Sequence, residues 1–387
     1  MSAFVVCAGL VWLLISALPP GDANDPQQIM LSSETPKDST EPPETSAPAP
    51  SPSPIPTPAP TPSPTPAPTP TPTRPPIEMF FTGDVLLDRA VGNIILRDGI
   101  DAPISDGLRE MLHGADWVGI NLENPLSDRG EKDITKDFTF RARPETAELL
   151  DHMGVTFCAL ANNHVLDYGE QAMYDTMDIL EGRGIGHAGA GENLAAASAP
   201  AVFEIDGYTI SALSASHHMP FLSWYAKEDR PGMLATYNPA QYVEAIKKAK
   251  EESDFCAVFV HWGVERDTFP EKYQHELARA YIDAGADIVI GSHPHVLQGF
   301  EWYKGKLIAH SLGNFIFTNT SMDTAALGVT IDGNGDMRAF LRPCKIVRYS
   351  TGLTEDEEEK KQLFKQITDR SFGAKILETG EIVAADE

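Results

Sequence analysis

Five short apolar runs, spread along the chain between residues 77 and 295, each lead into Asp, Asn, Glu or His at or near the end of the run. The runs are IEMFFTGD, WVGINLEN, VTFCALANNH, DFCAVFVHWG and DIVIGSHPH. Between them lie the helical patterns ETAELLDHM, YGEQAMYDTMDILEGRG, NPAQYVEAIKKAKEES and YQHELARAYIDAGA, the third with Asn238 as its expected N-cap. Strands that alternate with helices predict the α/β class, in which the carboxyl ends of parallel strands meet at one edge of the sheet.

In three further stretches apolar and polar residues alternate, and each stretch contains a dipeptide typical of tight turns. They are EIDGYTISALSAS, YKGKLIAHS and GVTIDGNGDMRAFLRP, with Asp-Gly, Lys-Gly and Asn-Gly turns. This pattern predicts antiparallel hairpins within or beside the main sheets. The sequence therefore predicts a folded domain over residues 77–350, followed by an acidic C-terminal helix and tail over residues 351–387.

The first 76 residues have a different composition. Residues 3–18 are apolar and are followed by Pro19-Pro20-Gly21, which predicts a signal peptide or N-terminal anchor over residues 1–20 and therefore export. Residues 21–76 form a linker rich in Pro, Thr, Ala and Ser, and every even position from Pro48 to Pro72 is proline. Such a repeat adopts polyproline II and acts as a spacer. The expected location is extracellular, at the cell surface, with membrane anchoring through the N-terminus as an alternative.

The net charge of the chain is −26. A protein with this charge repels polyanions at long range, which argues against nucleic acid or anionic lipid headgroups as main partners. A cation is the more natural ligand. Beyond Cys7 in the apolar N-terminal segment, the cysteines are Cys158, Cys256 and Cys344, an odd number. Two of them lie in apolar runs, so buried thiols are expected rather than a disulfide framework.

The residues at the ends of the apolar runs are metal-ligand types. They are Asp84, Asn121, Glu123, Asn163, His164, His261, His293 and His295. Carboxylates, an amide oxygen and several imidazoles suit one or two Zn, Mn or Fe ions, whereas calcium prefers mostly oxygen ligands. In SHPH the proline prevents a helix, so we expect an extended backbone with His293 and His295 on the same face.

Each of these residues also has an ordinary structural interpretation. A single strand-end Asp is commonly a cap, Asn162-Asn163 is compatible with a left-handed turn, and His261 with a core histidine. The convergence of five loops favours the metal site.

For His217 and His218, a pocket and a surface loop are equally compatible with the sequence. The helix patterns assign His113, His152 and His275 structural roles, and GIGHAGAG follows a helix rather than a strand, which argues against a dinucleotide site.

Seven motifs, in this order, resemble the CapA-type capsule and poly-gamma-glutamate biosynthesis family. They are FTGDVLLDR, NLENPLS, ANNHVLDYG, GIGHAGAGEN, VHWGVE, GSHPHVLQG and SLGNFIF. The resemblance covers about residues 77 to 345, nearly the whole folded part. It implies a branch of the calcineurin-like metallophosphoesterases, with a four-layer α-β-β-α sandwich and a metal centre at the carboxyl ends of the strands.

The resemblance also implies roles for individual residues. Asp84 matches a metal-ligating aspartate, Glu123 takes the place of a bridging carboxylate, and Asn163 is a ligand. His164 is the substrate-facing histidine, as a general acid or a transition-state donor. The remaining metal ligands are His261, His293 and His295. The family's first motif has a histidine two residues after the aspartate, where this chain has Leu86, so a single ion or a looser second one is expected.

The implied chemistry is metal-assisted hydrolysis or transfer at a phosphoryl or similar centre. Arg141 and Arg143 are candidates for binding an anionic polymer or a phosphorylated substrate, and a structural role for them is equally compatible with the sequence. The main alternative is a non-catalytic accessory or scaffold protein of a membrane complex that synthesises and exports a polyanion. An amide hydrolase acting on the polymer would use the same centre.

Overall fold

The computed structural model describes residues 74–385. The predicted signal or anchor and nearly all of the predicted linker lie outside the described residues. Within the described range, no helix has the length and apolar character needed to cross a bilayer.

The described residues form strands of two to eleven residues. The strands of the first half are β1 (Ile77–Val85), β2 (Trp117–Leu122), β3 (Phe157–Ala159), β4 (Gly186–Ala188), β5 (Ala190–Gly191), β6 (Ala201–Ile205), β7 (Tyr208–Ser216) and β8 (Gly232–Met233). Those of the second half are β9 (Phe255–His261), β10 (Ile288–Ser292), β11 (Phe300–Tyr303), β12 (Lys306–Ala309), β13 (Asn314–Ile316), β14 (Ser321–Ile331), β15 (Met337–Val347), β16 (Ser350–Leu353), β17 (Ala374–Ile376) and β18 (Glu381–Ala384).

Helices alternate with these strands over much of the described range. The α-helices are α1 (Arg89–Asp98), α2 (Asp106–His113), α3 (Glu148–His152), α4 (Gly169–Gly182), α5 (Leu194–Ser198), α6 (Ala240–Glu251), α7 (Lys272–Ala284) and α8 (Glu357–Asp369). Short 3-10 helices occupy Pro144–Ala147 and Leu222–Trp224.

Two large sheets carry the parallel strands. The ten-stranded sheet has the order β17-β18-β15-β14-β1-β2-β3-β4, with β13 also paired to β1 and β16 to β15. In it, β1 to β4 run parallel. The six-stranded sheet has the order β11-β12-β10-β9-β7-β6, and its β7, β9, β10 and β12 run parallel. A small sheet pairs β5 with β8.

Three hydrophobic clusters fill the space around the sheets. One packs side chains of α1 to α4, such as Leu150, against Phe80 and Val118 of the ten-stranded sheet. A second joins the two sheets and contains Phe81, Trp117, Phe157, Phe259 and Ile290. The third packs Tyr242, Ile246 and Tyr281 of α6 and α7 against Val258 and Val289 of the six-stranded sheet. Because residues 80 and 81 point to opposite faces of β1, one strand contributes to two clusters.

The α/β class and the three hairpins predicted from the sequence are confirmed, as β6–β7, β11–β12 and β14–β15. The helix expected after Asn238 begins later, at Ala240 with Pro239 as its N-cap, and the Asn238 side chain accepts a hydrogen bond from the Ala240 amide. Strands β17 and β18 continue the large sheet past residue 350, where the sequence places the end of the domain. Cys158, Cys256 and Cys344 are buried free thiols.

Candidate metal centre

The carboxyl ends of the parallel strands in both sheets bring the predicted site residues together. Asp84 is the penultimate residue of β1, Glu123 directly follows β2, and Asn163 and His164 follow β3. From the other sheet, His261 ends β9, and His293 directly follows β10. With His295 these residues form what we call the strand-end cluster: Asp84, Glu123, Asn163, His164, His261, His293 and His295.

The centre of the strand-end cluster is a buried set of two carboxylates and one imidazole. One ligand atom each from Asp84, Glu123 and His261 lies within 4.8 Å of the others. The Nε2 atom of His261 is 3.8 Å from Oε1 of Glu123 and 2.8 Å from Oδ1 of Asn163. The Nδ2 atom of Asn121 donates to both carboxylates, at 2.9 Å to Asp84 and 2.5 Å to Glu123. The arrangement presents oxygen and nitrogen lone pairs to one point.

Close backbone contact between β1 and β13 adds one more polar group. A Cβ atom on Gly83 would lie 1.8 Å from the carbonyl oxygen of Gly313, so only glycine allows this approach. The Asp84 amide donates to the same oxygen at 2.8 Å. Asn314 follows directly, and its Oδ1 lies 2.8 Å from Nδ1 of His295. That nitrogen is also 3.0 Å from Oδ2 of Asp84.

The backbone of the SHPH segment differs from the extended form that the sequence predicted. The φ angles of His293 and His295 are 96° and 59°, in the left-handed region that non-glycine residues rarely adopt. The chain therefore turns at each histidine. Their rings still lie 5.8 Å apart, and the His293 ring lies 4.7 Å from that of His261. The two histidines lie close together, as predicted. The predicted cause, an extended backbone with both side chains on one face, is wrong.

A chain of hydrogen bonds orients His164. Its Nδ1 atom lies 2.6 Å from Oδ2 of Asp167, and Oδ1 of Asp167 pairs with the Lys136 ammonium. The Phe140 amide also donates to Asp167, at 2.7 Å. The Nε2 atom of His164 lies 3.9 Å from Oε1 of Glu123. Asp167 thereby fixes the ring with Nε2 directed toward the strand-end cluster.

Burial and mutual repulsion dominate the electrostatics of the strand-end cluster. Burial, together with the charge of Asp84, raises the pKa of Glu123 well above its ordinary value. Burial and the neighbouring histidines hold the pKa of His261 and of His293 well below theirs. Burial also acts to lower the pKa of His295, but the hydrogen bond and charge of Asp84 outweigh it and raise that pKa to about 9.

The residues of this cluster fit a divalent cation. Oε1 of Glu123 and Nδ1 of His293 are buried and have no hydrogen-bond partner among the described residues. Among those residues, no Lys or Arg forms an ion pair with Asp84 or Glu123. With the pKa of His295 raised to about 9, its imidazolium offsets the charge of Asp84. Glu123 is left buried without such a partner, which is unfavourable for a charged group, and a divalent ion would supply both a balancing charge and a partner for the free oxygen.

Arg141 and Arg143 do not contact the strand-end cluster. The Arg141 guanidinium donates to the Arg129 carbonyl at 2.9 Å and lies over the Tyr168 ring at 4.1 Å. The Arg143 side chain is 62% exposed, and its nearest carboxylate, Glu145, is 4.0 Å away. A substrate-binding role for these arginines stays a prediction, because their positions neither require nor prevent it.

Asp167 and Asn314 were not singled out for the site by the sequence, which left His218 open between a pocket and a surface loop. Asp167 stands three residues after His164, within ANNHVLDYG, and that spacing at a strand end is a usable signal. Asn314 lies inside the motif SLGNFIF, after β12. The His218 ring stacks on His293 at 4.1 Å, whereas His217 stacks on Tyr273 at 4.3 Å. His187, by contrast, pairs with Glu181 outside the cluster.

A second group of histidines and a carboxylate lies beside α7. It contains His275, Glu301 and His310, with ligand atoms also within 4.8 Å of one another. Oε2 of Glu301 lies 2.6 Å from Nδ1 of His275 and 3.2 Å from Nε2 of His310, and Arg279 donates to Oε1 at 2.6 Å. We call these four residues the α7 cluster. The sequence assigned His275 a structural role and did not single out the other three.

Comparison with known proteins places these observations in a family context. Residues 78–319 match the family model described as bacterial capsule synthesis protein PGA_cap. The chain is 32% identical over 308 residues to the PGA biosynthesis protein CapA of Bacillus subtilis (strain 168), a match that covers 78% of this chain and 80% of that protein. It is 32% identical over 309 residues to the capsule biosynthesis protein CapA of Bacillus anthracis, covering 77% and 74%.

A relative that matches over a shorter stretch and a solved structure are also similar. A probable polyglutamine synthesis accessory protein of Mycobacterium tuberculosis is 33% identical over 206 residues, which is 51% of this chain and 54% of that protein. The crystal structure of TT1561 of Thermus thermophilus aligns with a TM-score of 0.40 at 9% identity, over 68% of this chain and 97% of that chain.

Proposed function

The chain belongs to the bacterial capsule synthesis protein family PGA_cap, and we propose that it is a metal-dependent, phosphoesterase-like hydrolase acting in capsule or polyglutamate biosynthesis. The family resemblance predicted from the seven motifs is confirmed. The observation that carries the proposed activity is the buried set of Asp84, Glu123 and His261, with the His164 imidazole 3.9 Å from Glu123.

In this proposal the strand-end cluster holds one or two ions of Mn, Zn or Fe. Asp84, Glu123 and His261 are the central ligands, and Asn163, His293 and His295 complete the set. When bound, such an ion supplies Lewis-acid polarisation of the attacked centre and lowers the pKa of water. Carboxylate and imidazole ligands together favour these metals over calcium.

His164 is the proposed acid or transition-state donor. Asp167 holds its Nδ1 proton and stabilises the imidazolium that forms when Nε2 also carries a proton. Lys136 keeps Asp167 in place, because burial removes both groups from water and leaves them each other as partners. The Phe140 ring packs against the His164 ring, with 4.4 Å between the ring centres, and restricts its movement. His164 is therefore positioned to deliver a proton to a leaving oxygen near the cluster.

The packing of the hydrophobic core supports a fold assignment finer than the α/β class. We propose the four-layer α-β-β-α sandwich that the resemblance implies. Three separate hydrophobic clusters support it, one between helices and the ten-stranded sheet, one between the two sheets, and one between the six-stranded sheet and α6 and α7. In such a sandwich the carboxyl ends of the two sheets' parallel strands share one crevice.

The cellular setting is also proposed. The apolar segment over residues 3–18 and the proline-rich linker support export and action at the cell surface, with tethering through the N-terminus as the alternative to a cleaved signal. The relatives' names support a role in PGA or capsule biosynthesis, and the proposed place in it is beside a membrane synthase of an anionic polymer. The proposed substrate is that polymer or a phosphorylated compound, and not nucleic acid, since the net charge is −26.

A second candidate function is that of an accessory protein that uses the fold as a scaffold. The observation that favours it is the name of the Mycobacterium tuberculosis relative, a probable synthesis accessory protein. A scaffold has no physical need for a buried carboxylate such as Glu123, which has no lysine or arginine partner among the described residues, since such a group destabilises the protein unless an ion is bound. The hydrolase therefore remains the preferred proposal.

Hydrolysis of a chromogenic phosphodiester and a monoester by the full chain, with added Mn²⁺ or Zn²⁺, tests the proposal. We expect turnover that requires the metal and that His164→Ala lowers about 10²- to 10⁴-fold without changing the metal content. His293→Ala should lose metal as well as turnover. His152→Ala is the matched control, because that histidine pairs with Asp101 away from the site. Full activity in His164→Ala would refute its assigned role, and well-folded protein without metal or turnover would favour the scaffold.

A further inference from the structure

A cleft that contains three arginines lies beside His164, and we propose that it is a carboxylate-binding subsite for an acidic polymer. This inference rests on the proposed function, since it names the substrate class of the same site. The cleft has a volume of about 210 Å³, and its polar lining consists of Asp88, Arg89, Asn93, Arg141, Arg143 and Thr146. It extends the pair of arginines predicted from the sequence by a third, Arg89.

One aromatic ring contacts both the cleft and the proposed catalytic histidine. The guanidinium carbon of Arg89 lies 4.9 Å from the centre of the Phe140 ring, and the centre of the His164 ring lies 4.4 Å from the same point. Arg89 also donates to the Thr139 carbonyl at 3.2 Å. In sequence, Arg89 stands five residues after Asp84, which limits the distance between their Cα atoms to about 18 Å. This separation is within the span of a few polymer units.

The charge of the cleft is opposite to that of the whole chain. The chain carries 56 acidic against 30 basic residues, yet the cleft places three arginines around one aspartate. The carboxylate of Asp88 accepts from the Arg141 amide at 3.0 Å, and within the described range it forms no ion pair with an arginine of the cleft. The only other carboxylate contact among the described residues is that of Glu145, 4.0 Å from Arg143. The cleft thus keeps a net positive charge, with three arginines against Asp88 and the Glu145 contact of Arg143.

The guanidinium groups are held in place but keep free donors. Among the described residues only one terminal nitrogen of Arg89 and one of Arg141 donate hydrogen bonds, to backbone carbonyls. Each group is also held against an aromatic ring, Phe140 or Tyr168. Arg89 has a φ of 55°, a conformation that costs energy for a non-glycine residue. Preoriented forks of this kind suit carboxylates, which they bind in pairs of charge-assisted hydrogen bonds.

Three arginines on one cleft favour a ligand with repeated carboxylates over a single anion. A chain of glutamyl residues presents a carboxylate on every unit, so one molecule can reach several arginines and the metal site. Phosphate shares the affinity for guanidinium, and the test therefore includes it. In a strongly acidic protein, such a cleft also gives an acidic polymer one place where it is not repelled.

Fluorescence anisotropy of a labelled γ-linked oligoglutamate, titrated with the full chain, tests the subsite. A labelled oligoglutamine of the same length is the neutral control. We expect Arg143→Glu to weaken oligoglutamate binding about tenfold or more, and this variant avoids misfolding because the side chain is exposed and its one ion pair in the described range is with Glu145. Arg89→Gln should weaken binding about tenfold, while Arg97→Ala should not. Arg97 lies on the same helix but pairs with Asp98 outside the cleft.

The outcomes separate the subsite from the proposed activity. Arginine-dependent oligoglutamate binding supports the subsite even if no ester is hydrolysed, in which case the hydrolase proposal fails alone. Binding that is equal in wild type and Arg143→Glu overturns the subsite, as does a wild-type chain that does not bind oligoglutamate. Displacement of the oligomer by inorganic phosphate at the same molar concentration would show a general anion site and overturn the polymer assignment.

Discussion

The strand-end cluster and the α7 cluster are built from the same kinds of side chain but have opposite electrostatics. Both contain histidines and buried carboxylate, and both bring three ligand atoms within 4.8 Å. In the α7 cluster, burial acts to raise the pKa of Glu301, but hydrogen bonds from His310, His275 and Arg279 outweigh it and lower that pKa to about 2. In the strand-end cluster, burial and the charge of Asp84 raise the pKa of Glu123 well above its ordinary value.

The difference lies in the cationic partner rather than in the ligands. Arg279 contacts Glu301 at 2.6 Å, so the α7 cluster is charge-balanced as it stands, with two histidines donating to the same carboxylate. In the strand-end cluster the His295 imidazolium balances Asp84, but among the described residues no arginine or lysine pairs with Glu123, and its buried Oε1 has no hydrogen-bond partner. A set of ligand types thus indicates a metal site only when the protein leaves its charge uncompensated.

The largest expected effect is a loss of turnover when a ligand of the strand-end cluster is removed. Glu123→Ala removes a central ligand, so turnover of the phosphodiester should fall on the order of a thousandfold or more. The matched variant in the α7 cluster, Glu301→Gln, should retain turnover within about twofold. Initial rates at saturating Mn²⁺ measure both. Equal losses in the two variants would mean that the two clusters do not differ in function.

The next effect concerns stability and belongs to the α7 cluster. The pKa of Glu301 lies at about 2, below its ordinary 4.5, so its ionised form stabilises the protein above pH 4.5, and this contribution is lost as the pH falls toward 2. The difference corresponds to roughly 3 kcal/mol, since the side chain is only 2% exposed. Glu301→Gln should lower the free energy of unfolding by about that amount at pH 7 and by less at pH 3.

Urea denaturation at the two pH values measures this change. Glu276→Gln is the control, because Glu276 is exposed on α7, the helix that carries His275 and Arg279, and pairs with Lys272, and surface pairs contribute little. A loss in Glu301→Gln that does not depend on pH would contradict the charge-balance account.

A smaller effect separates orientation from metal binding in the strand-end cluster. Asp167→Asn keeps the shape of the side chain but weakens its hold on the Nδ1 proton of His164. We expect kcat to fall about 10- to 100-fold, the range typical of groups that orient an active imidazole, with unchanged metal content. Single-turnover rates with metal analysis on the same sample make the measurement. Parallel loss of metal would assign Asp167 to the metal site itself.

The smallest expected effect is weak zinc binding by the α7 cluster after its cationic partner is removed. Arg279→Gln removes the cationic partner of Glu301 and leaves His275, Glu301 and His310 as a ligand set with uncompensated charge. We expect this variant to bind one additional equivalent of Zn²⁺, weakly, in equilibrium dialysis. His310→Ala in the same background should remove it. No additional zinc in Arg279→Gln would show that charge balance is not what keeps the α7 cluster free of metal.

The sequence predicted the strand-end residues because strand ends are a local pattern. An apolar run and the polar residue after it are neighbours in the chain. The parallel pairing of β1 to β3 and of β9 with β10 then places these polar residues at the same edge of each sheet. The backbone of SHPH was predicted wrongly, because a proline excludes a helix but does not choose between an extended chain and the left-handed turns observed at His293 and His295.

The α7 cluster and the orientation of His164 depend on contacts that sequence patterns do not contain. Glu301 meets His275 across 26 residues, and Lys136 reaches Asp167 across 31. Each of these side chains, taken alone, is an ordinary polar residue of a helix, strand or loop. Only the packing of separate elements brings them together, and the counter-charge that distinguishes the two clusters arises from that packing.

Metal analysis by inductively coupled plasma mass spectrometry tests the central claim most directly. The full chain, loaded with Mn²⁺ or Zn²⁺ and then desalted, should retain one to two ions. Asp84→Asn should lose them, and Glu301→Gln should retain them. A folded wild-type chain without metal, or metal that is lost in Glu301→Gln but kept in Asp84→Asn, would contradict the assignment of the metal site to the strand-end cluster.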